Sequence, residues 1–310
     1  MLILYTTTLV NVQYNTHQKI CLLIMRNEVN YFVQKYTNNL FLYDVMEYLI
    51  EYKTDWVILV EEPFLSDYAN VKFLWNDTPH IVGFRNFYKK ITKKCSKEKK
   101  CFAFPIDIRL ILTDVSLDEL ISNIESNIYF KDYNPKVKEY FECIGYLFEI
   151  FENSEKNFTN YQNYNSNLLF IKKIFDLDKK NKCYLNLKKK FKHIYLNYIA
   201  KNLDITIRNF ILKQIENNNE SNNFLTDYDE FINGIMEYYA CILIEGLGQK
   251  NVIIHSGHYH SNKILHLLEK YYNYKNIYSI GYTENSNTYS ENSDYVNNCL
   301  YLNKNIFFTI

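Results

Sequence analysis

Apolar residues along this chain keep two rhythms: short uninterrupted runs, and stretches in which they return every third or fourth position. Ile20-Cys21-Leu22-Leu23-Ile24, Trp56-Val57-Ile58-Leu59-Val60, Cys101-Phe102-Ala103-Phe104, Val252-Ile253-Ile254 and Ile277-Tyr278-Ser279-Ile280 are runs of the first kind. Such runs predict strands, in the manner of a sheet covered on both faces. Residues 1–10 read as a further strand and 300–310 as an edge strand. Of the second kind, Leu42, Val45, Met46, Leu49 and Ile50 predict an amphipathic helix over 40–52. A helix over 81–94 runs into a Lys-rich tract at 89–100, read as a solvated helix end and loop, with an anionic partner as the alternative.

The middle of the chain is helical. Ser116 with Glu119 three residues on has the capping-box spacing. Tyr140, Phe141, Ile144, Leu147 and Phe148 form one stripe of a helix over 136–153. Residues 158–181 read as a polar loop with a short helix at 167–175, and 187–216 as a long helix or a broken pair. The Asn-rich run 217–223 is a linker. Thr226, Asp227 and Glu230 open a helix that runs to Glu245 and stops at Gly246 and Gly248. A turn at 255–260, a helix at 261–272 and a polar loop at 285–298 complete the reading.

Strand, helix, strand in the first and last thirds is the βαβ pattern, which implies parallel pairing. The expected fold is α/β: a mostly parallel central sheet with helices on both faces and a helical insertion. Residues 1–115 and 221–310 form the two halves of the α/β domain, and 116–220 the insertion.

Charge and composition narrow the function. Lys+Arg and Asp+Glu balance at 35 each, which lacks the basic footprint of a nucleic-acid binder and leaves little charge repulsion against a homo-oligomer. The 30 Tyr and 21 Phe accompany abundant Asn, Lys and Ile, residues with AT-rich codons, so the aromatic content reflects genome composition. The seven Cys are odd in number and lack a CxxC pair, which reads as reduced, mostly buried thiols in an intracellular compartment. A structural zinc at Cys95 and Cys101 is the alternative. Residues 1–10 lack a basic flank and a cleavage site, so a strand is preferred there to a signal peptide. No apolar run reaches the roughly 20 residues of a membrane span.

Candidate chemistry lies beyond the carboxyl ends of the strands, where open α/β sheets bind ligands. The strand 56–60 delivers Glu61 and Glu62, the strand 101–104 delivers Asp107 and Arg109, and the strand 252–254 delivers His255, His258 and His260 around Gly257. His260, Glu62, Asp107 and Arg109 together are a workable acid–base set, because imidazole titrates near neutrality and a carboxylate can orient it. Solvent-exposed glutamates and a structural Asp107–Arg109 ion pair are the plain alternatives. His255, His258 and His260, with Glu62 or Asp107, are the candidate ligands of a divalent metal, although their spacing matches no closed zinc pattern. No GxSxG elbow, P-loop or GxGxxG is present, which argues against a serine hydrolase of that type, an NTPase and a dinucleotide enzyme.

Leu225-Thr226-Asp227-Tyr228, Val252-Ile253-Ile254-His255-Ser256-Gly257-His258-Tyr259-His260, Asp107-Ile108-Arg109 and Glu61-Glu62-Pro63 resemble a family of uncharacterised proteins of mimivirus-like giant DNA viruses. More distantly, the pattern is similar to the erythromycin esterase, ChaN and TraB-like superfamily, over about half of the chain. The resemblance implies a hydrolase-like site with His260 as acid/base or ligand and Glu62 as its partner. It also places the protein in a host cytoplasm or a virion. One departure stands out: the family's first strand ends in a Gly-Glu-x-His-like turn, whereas here Met25-Arg26-Asn27-Glu28 follows. The missing half-site favours a degenerate, non-catalytic member that binds a virion or host protein or assembles; a hydrolase, metal-dependent or not, is the alternative.

Overall fold

A computed structural model of the chain describes residues 7–14, 18–25, 56–63, 88–95, 97, 101–113, 115–152, 180–217, 223–247 and 251–280. The expected helices at 40–52 and 167–175, the loop at 285–298 and the strand at 300–310 lie outside the described residues. Two compact units emerge: Met1–Glu62 with Asp77–Ile106 and Leu243–Ile310, and Pro63–Asn76 with Asp107–Ile242. The second is wider on both sides than the 116–220 segment expected from sequence.

The first unit is built on a sheet of β1 (Thr7–Tyr14), β2 (Gln18–Met25), β3 (Trp56–Pro63), β4 (Cys101–Asp107), β5 (Asn251–Gly257) and β6 (Lys275–Ile280). Their order is β4-β3-β5-β2-β1-β6. β5 runs parallel to both β2 and β3, with Ile24 opposite Ser256 and Val60 opposite His255. β1 is antiparallel to β2 and to β6. The fold is therefore α/β, with a parallel centre and an antiparallel margin. The β1–β2 pairing has a local cause: the first strand is described over Thr7–Tyr14 and pairs Tyr14 with Gln18, a span too short for the crossover that parallel pairing needs.

Val57, Ile58, Leu59 and Val60 are at most 1% exposed, as the unbroken apolar run requires of a strand with both faces covered. Helix α1 (88–95) holds buried Ile91 and Cys95. Cys95 is disulfide-bonded, against the expectation of reduced, mostly buried thiols; Cys143, Cys183 and Cys241 stand outside any disulfide. An odd cysteine count forbids complete pairing but leaves room for a bridge.

In the second unit, helix α2 (Leu117–Ser122) is capped as expected, Glu119 N–H donating to Ser116 Oγ at 3.1 Å. α3 (Asn127–Asp132) is capped by Ser126. The helix expected over 136–153 is two: α4 (Val137–Tyr140) and α5 (Glu142–Glu152), interrupted where Phe141 leaves helical backbone angles. Likewise 187–216 resolves into the broken pair, α6 (Lys182–Ile194) and α7 (Ile207–Glu216), with a wide π turn at Tyr195–Ile199. Val137 N–H donates to Ile205 O at 2.9 Å and Ile207 N–H to Pro135 O at 2.8 Å, which joins the start of α4 to that of α7. Phe141 sits in the middle of the core, with Tyr140, Tyr228, Phe210 and Phe224 edge-on around it at 4.6–6.2 Å. Helix α8 (Phe224–Gly246) starts earlier than expected because Asn223, not Thr226, is its cap: Thr226 N–H donates to Asn223 Oδ1 at 3.1 Å.

Candidate acid–base site

The expected turn at 255–260 does not exist as such. β5 carries His255, Ser256 and Gly257 as strand, and helix α9 (His258–Tyr271) begins at once, three residues before the expected start. The helix lies down on its buried stripe of Ser261, Ile264 and Leu268, the spacing of one helical face. At the junction the hydroxyls of Ser256 and Ser261, both buried, are hydrogen-bonded, and Ser261 Oγ also reaches Ser256 O at 3.2 Å. The contact pins the first turn of α9 to the strand that feeds it.

That first turn places His260. Its Nε2 stands 3.5 Å from Glu61 Oε1, with the imidazole 12% and the carboxylate 16% exposed. This is an ion-pair distance, looser than a tight hydrogen bond. The expected partner was Glu62; the ion pair seen here is with its neighbour Glu61. Neighbouring strand residues point to opposite faces of a sheet, and Glu62 is buried at 3% exposure. Its charge acts on Tyr88 of α1, whose phenol is raised above its usual range by burial, with Glu62 pushing the same way and Thr92 opposing.

Asp107 and Arg109 belong to a second cluster, in the other unit. Asp107 is fully buried. Arg109 donates from Nε to its Oδ1 and from Nη2 to its Oδ2, both at 2.8 Å, and the Arg109 backbone N–H caps Oδ1 at 3.1 Å. Nη1 donates to Asn233 Oδ1 at 2.8 Å, and Asn233 Nδ2 to Asp229 Oδ1 at 3.0 Å. The guanidinium is thereby committed to holding the start of this unit onto α8. The ion pair weighed as a plain alternative is present.

His255 is a fully buried strand residue, whereas positions 258 and 260 are helical and stand about 200° apart around the axis. Among the described residues, no group of three or more His, Cys, Asp and Glu side chains could hold a metal ion.

Asn233 and Asp229 are participants that the sequence reading did not single out, and Glu61 was named there beside Glu62 without being chosen as the partner of His260. Strand parity could have separated Glu61 from Glu62 had the helix start at His258 been recognised; nothing local points from Arg109 to a residue 124 positions away. Comparison of the chain with protein-family models, curated proteins and solved structures gave no match. Among the described residues, no helix is long and apolar enough to cross a membrane.

Proposed function

We propose that this protein performs acid–base chemistry of the hydrolytic type on a small substrate, with His260 as proton acceptor and donor and Glu61 as the carboxylate that orients it. One observation carries the reading: the 3.5 Å His260–Glu61 pair, partly open to solvent, just beyond the level where parallel β3 and β5 pair Val60 with His255. A carboxylate beside an imidazole orients the ring, which is what proton transfer to and from a water nucleophile needs. Helices on both faces of the sheet are part of the proposal, supported by the unbroken burial of Val57–Val60. So is a distant relationship to the erythromycin esterase, ChaN and TraB-like superfamily, supported by the Val252–His260 segment.

The second reading is a degenerate, non-catalytic binding or assembly protein. The segment Met25-Arg26-Asn27-Glu28 favours it, since the glycine and the imidazole of the family's first turn are missing there.

Hydrolysis of 4-nitrophenyl acetate, followed across pH, separates the two. Turnover that falls about 100-fold or more in His260→Ala supports the acid–base reading. Turnover indistinguishable from buffer, or unchanged in the variant, overturns it in favour of the binding protein.

A further inference from the structure

The His260–Glu61 pair does not stand alone on α9. Tyr259, 49% exposed, meets the His260 ring edge-on with centroids 5.3 Å apart. Lys263, one turn on, holds its ammonium 5.5 Å from the centroid of the Tyr259 ring. Tyr259 and Lys263 are four positions apart and therefore share a helix face. Lys263 is exposed and makes no ion pair among the described residues. Arg109, a cation of the expected acid–base set, is instead engaged with Asp107 and Asn233.

We infer that Tyr259 and Lys263 form the recognition rim of the His260 site and select a small substrate that carries an anionic group beside a planar, unsaturated one. This rests on the acid–base reading for its location and extends it to a substrate class. A half-exposed phenol ring offers a flat apolar surface to a planar group. The ammonium of Lys263 is the matching charge for a carboxylate or a similar anion, and its place beside the ring lets one ligand touch both. Neutral alkyl esters gain nothing from Lys263, and small aliphatic anions gain nothing from Tyr259.

Binding of 4-nitrobenzoate to the full chain, titrated by NMR, tests this directly, with neutral 4-nitrobenzamide and aliphatic succinate as comparison probes. The wild type is expected to prefer 4-nitrobenzoate to both. Tyr259→Leu and Lys263→Gln should each weaken it by about two- to five-fold, and Lys263→Gln should erase the preference over 4-nitrobenzamide. Both side chains are exposed, so circular dichroism should show the fold intact. Failure of 4-nitrobenzoate to bind, or equal binding by wild type and both variants, overturns the inference. Because binding needs no turnover, the rim stands if the hydrolysis assay fails while this pattern holds. It falls alone if turnover depends on His260 while neither Tyr259 nor Lys263 affects binding.

Discussion

Arg109 grips Asp107 through both carboxylate oxygens, Nε to Oδ1 and Nη2 to Oδ2 at 2.8 Å each, and gives Nη1 to Asn233. The carboxylate is fully buried and the guanidinium side chain 17% exposed. Removing one partner of a buried pair leaves an uncompensated charge. Arg109→Met should therefore cost about 3–5 kcal/mol. Arg109→Lys, which keeps the charge but loses the planar fork, should also destabilise. Urea denaturation of the two variants measures this, and a loss below about 1 kcal/mol in Arg109→Met would mark the pair as peripheral.

Phe141 is 1% exposed and ringed by Tyr140, Tyr228, Phe210 and Phe224. Truncation to alanine removes a large buried ring whose neighbours, drawn from three different helices, cannot all collapse inward. The expected loss is about 3–5 kcal/mol, with Phe141→Leu milder, again read from denaturant midpoints.

Tyr140 and Tyr228 share that core but differ in their hydroxyls. Tyr140 Oη donates to Val115 O at 2.7 Å, whereas Tyr228 Oη is buried without a partner in hydrogen-bonding geometry, although the Thr113 hydroxyl lies near enough to oppose the rise of its pKa. Tyr140→Phe should cost about 1 kcal/mol, and Tyr228→Phe should be neutral or stabilising. Thermal unfolding of the pair decides it. A larger loss in Tyr228→Phe would contradict the assignment.

Burial, the largest cause, holds both phenols above the usual tyrosine range, Tyr140 well above it. In the unfolded chain they titrate near 10. Above that pH the folded state keeps protons that the unfolded state has shed, so stability falls as pH rises. The contribution is complete below about pH 10 and is lost from there through the folded pKa values. Denaturation midpoints of the wild type should decline above pH 10 more steeply than those of a Tyr140→Phe/Tyr228→Phe double variant.

The sheet was legible because its inner strands are written as unbroken apolar runs, such as Trp56–Val60, that no half-exposed element would carry. Helix ends were less so. Gly257 reads as a turn residue, yet β5 passes through it and α9 starts at His258, because the Ser256–Ser261 contact fixes the junction at a longer range than local propensity records. The break at Phe141 is similar: the apolar stripe continues through it, while hydrogen bonds from the α4 start to the stretch before α7 set the angle. His260 was visible from the sequence; its partner was not, since choosing between Glu61 and Glu62 requires knowing which face of β3 looks towards α9.

The most direct measurement is therefore a double-mutant cycle on 4-nitrophenyl acetate hydrolysis, with Glu61→Gln, Glu62→Gln and His260→Ala. If Glu61 acts through His260, Glu61→Gln should lower kcat by about ten-fold or more in the wild-type background and have no further effect in His260→Ala, because coupled residues are non-additive. Glu62→Gln should be additive with His260→Ala. Additive effects of Glu61→Gln and His260→Ala, or a cycle in which Glu62 rather than Glu61 couples to the imidazole, would contradict the account.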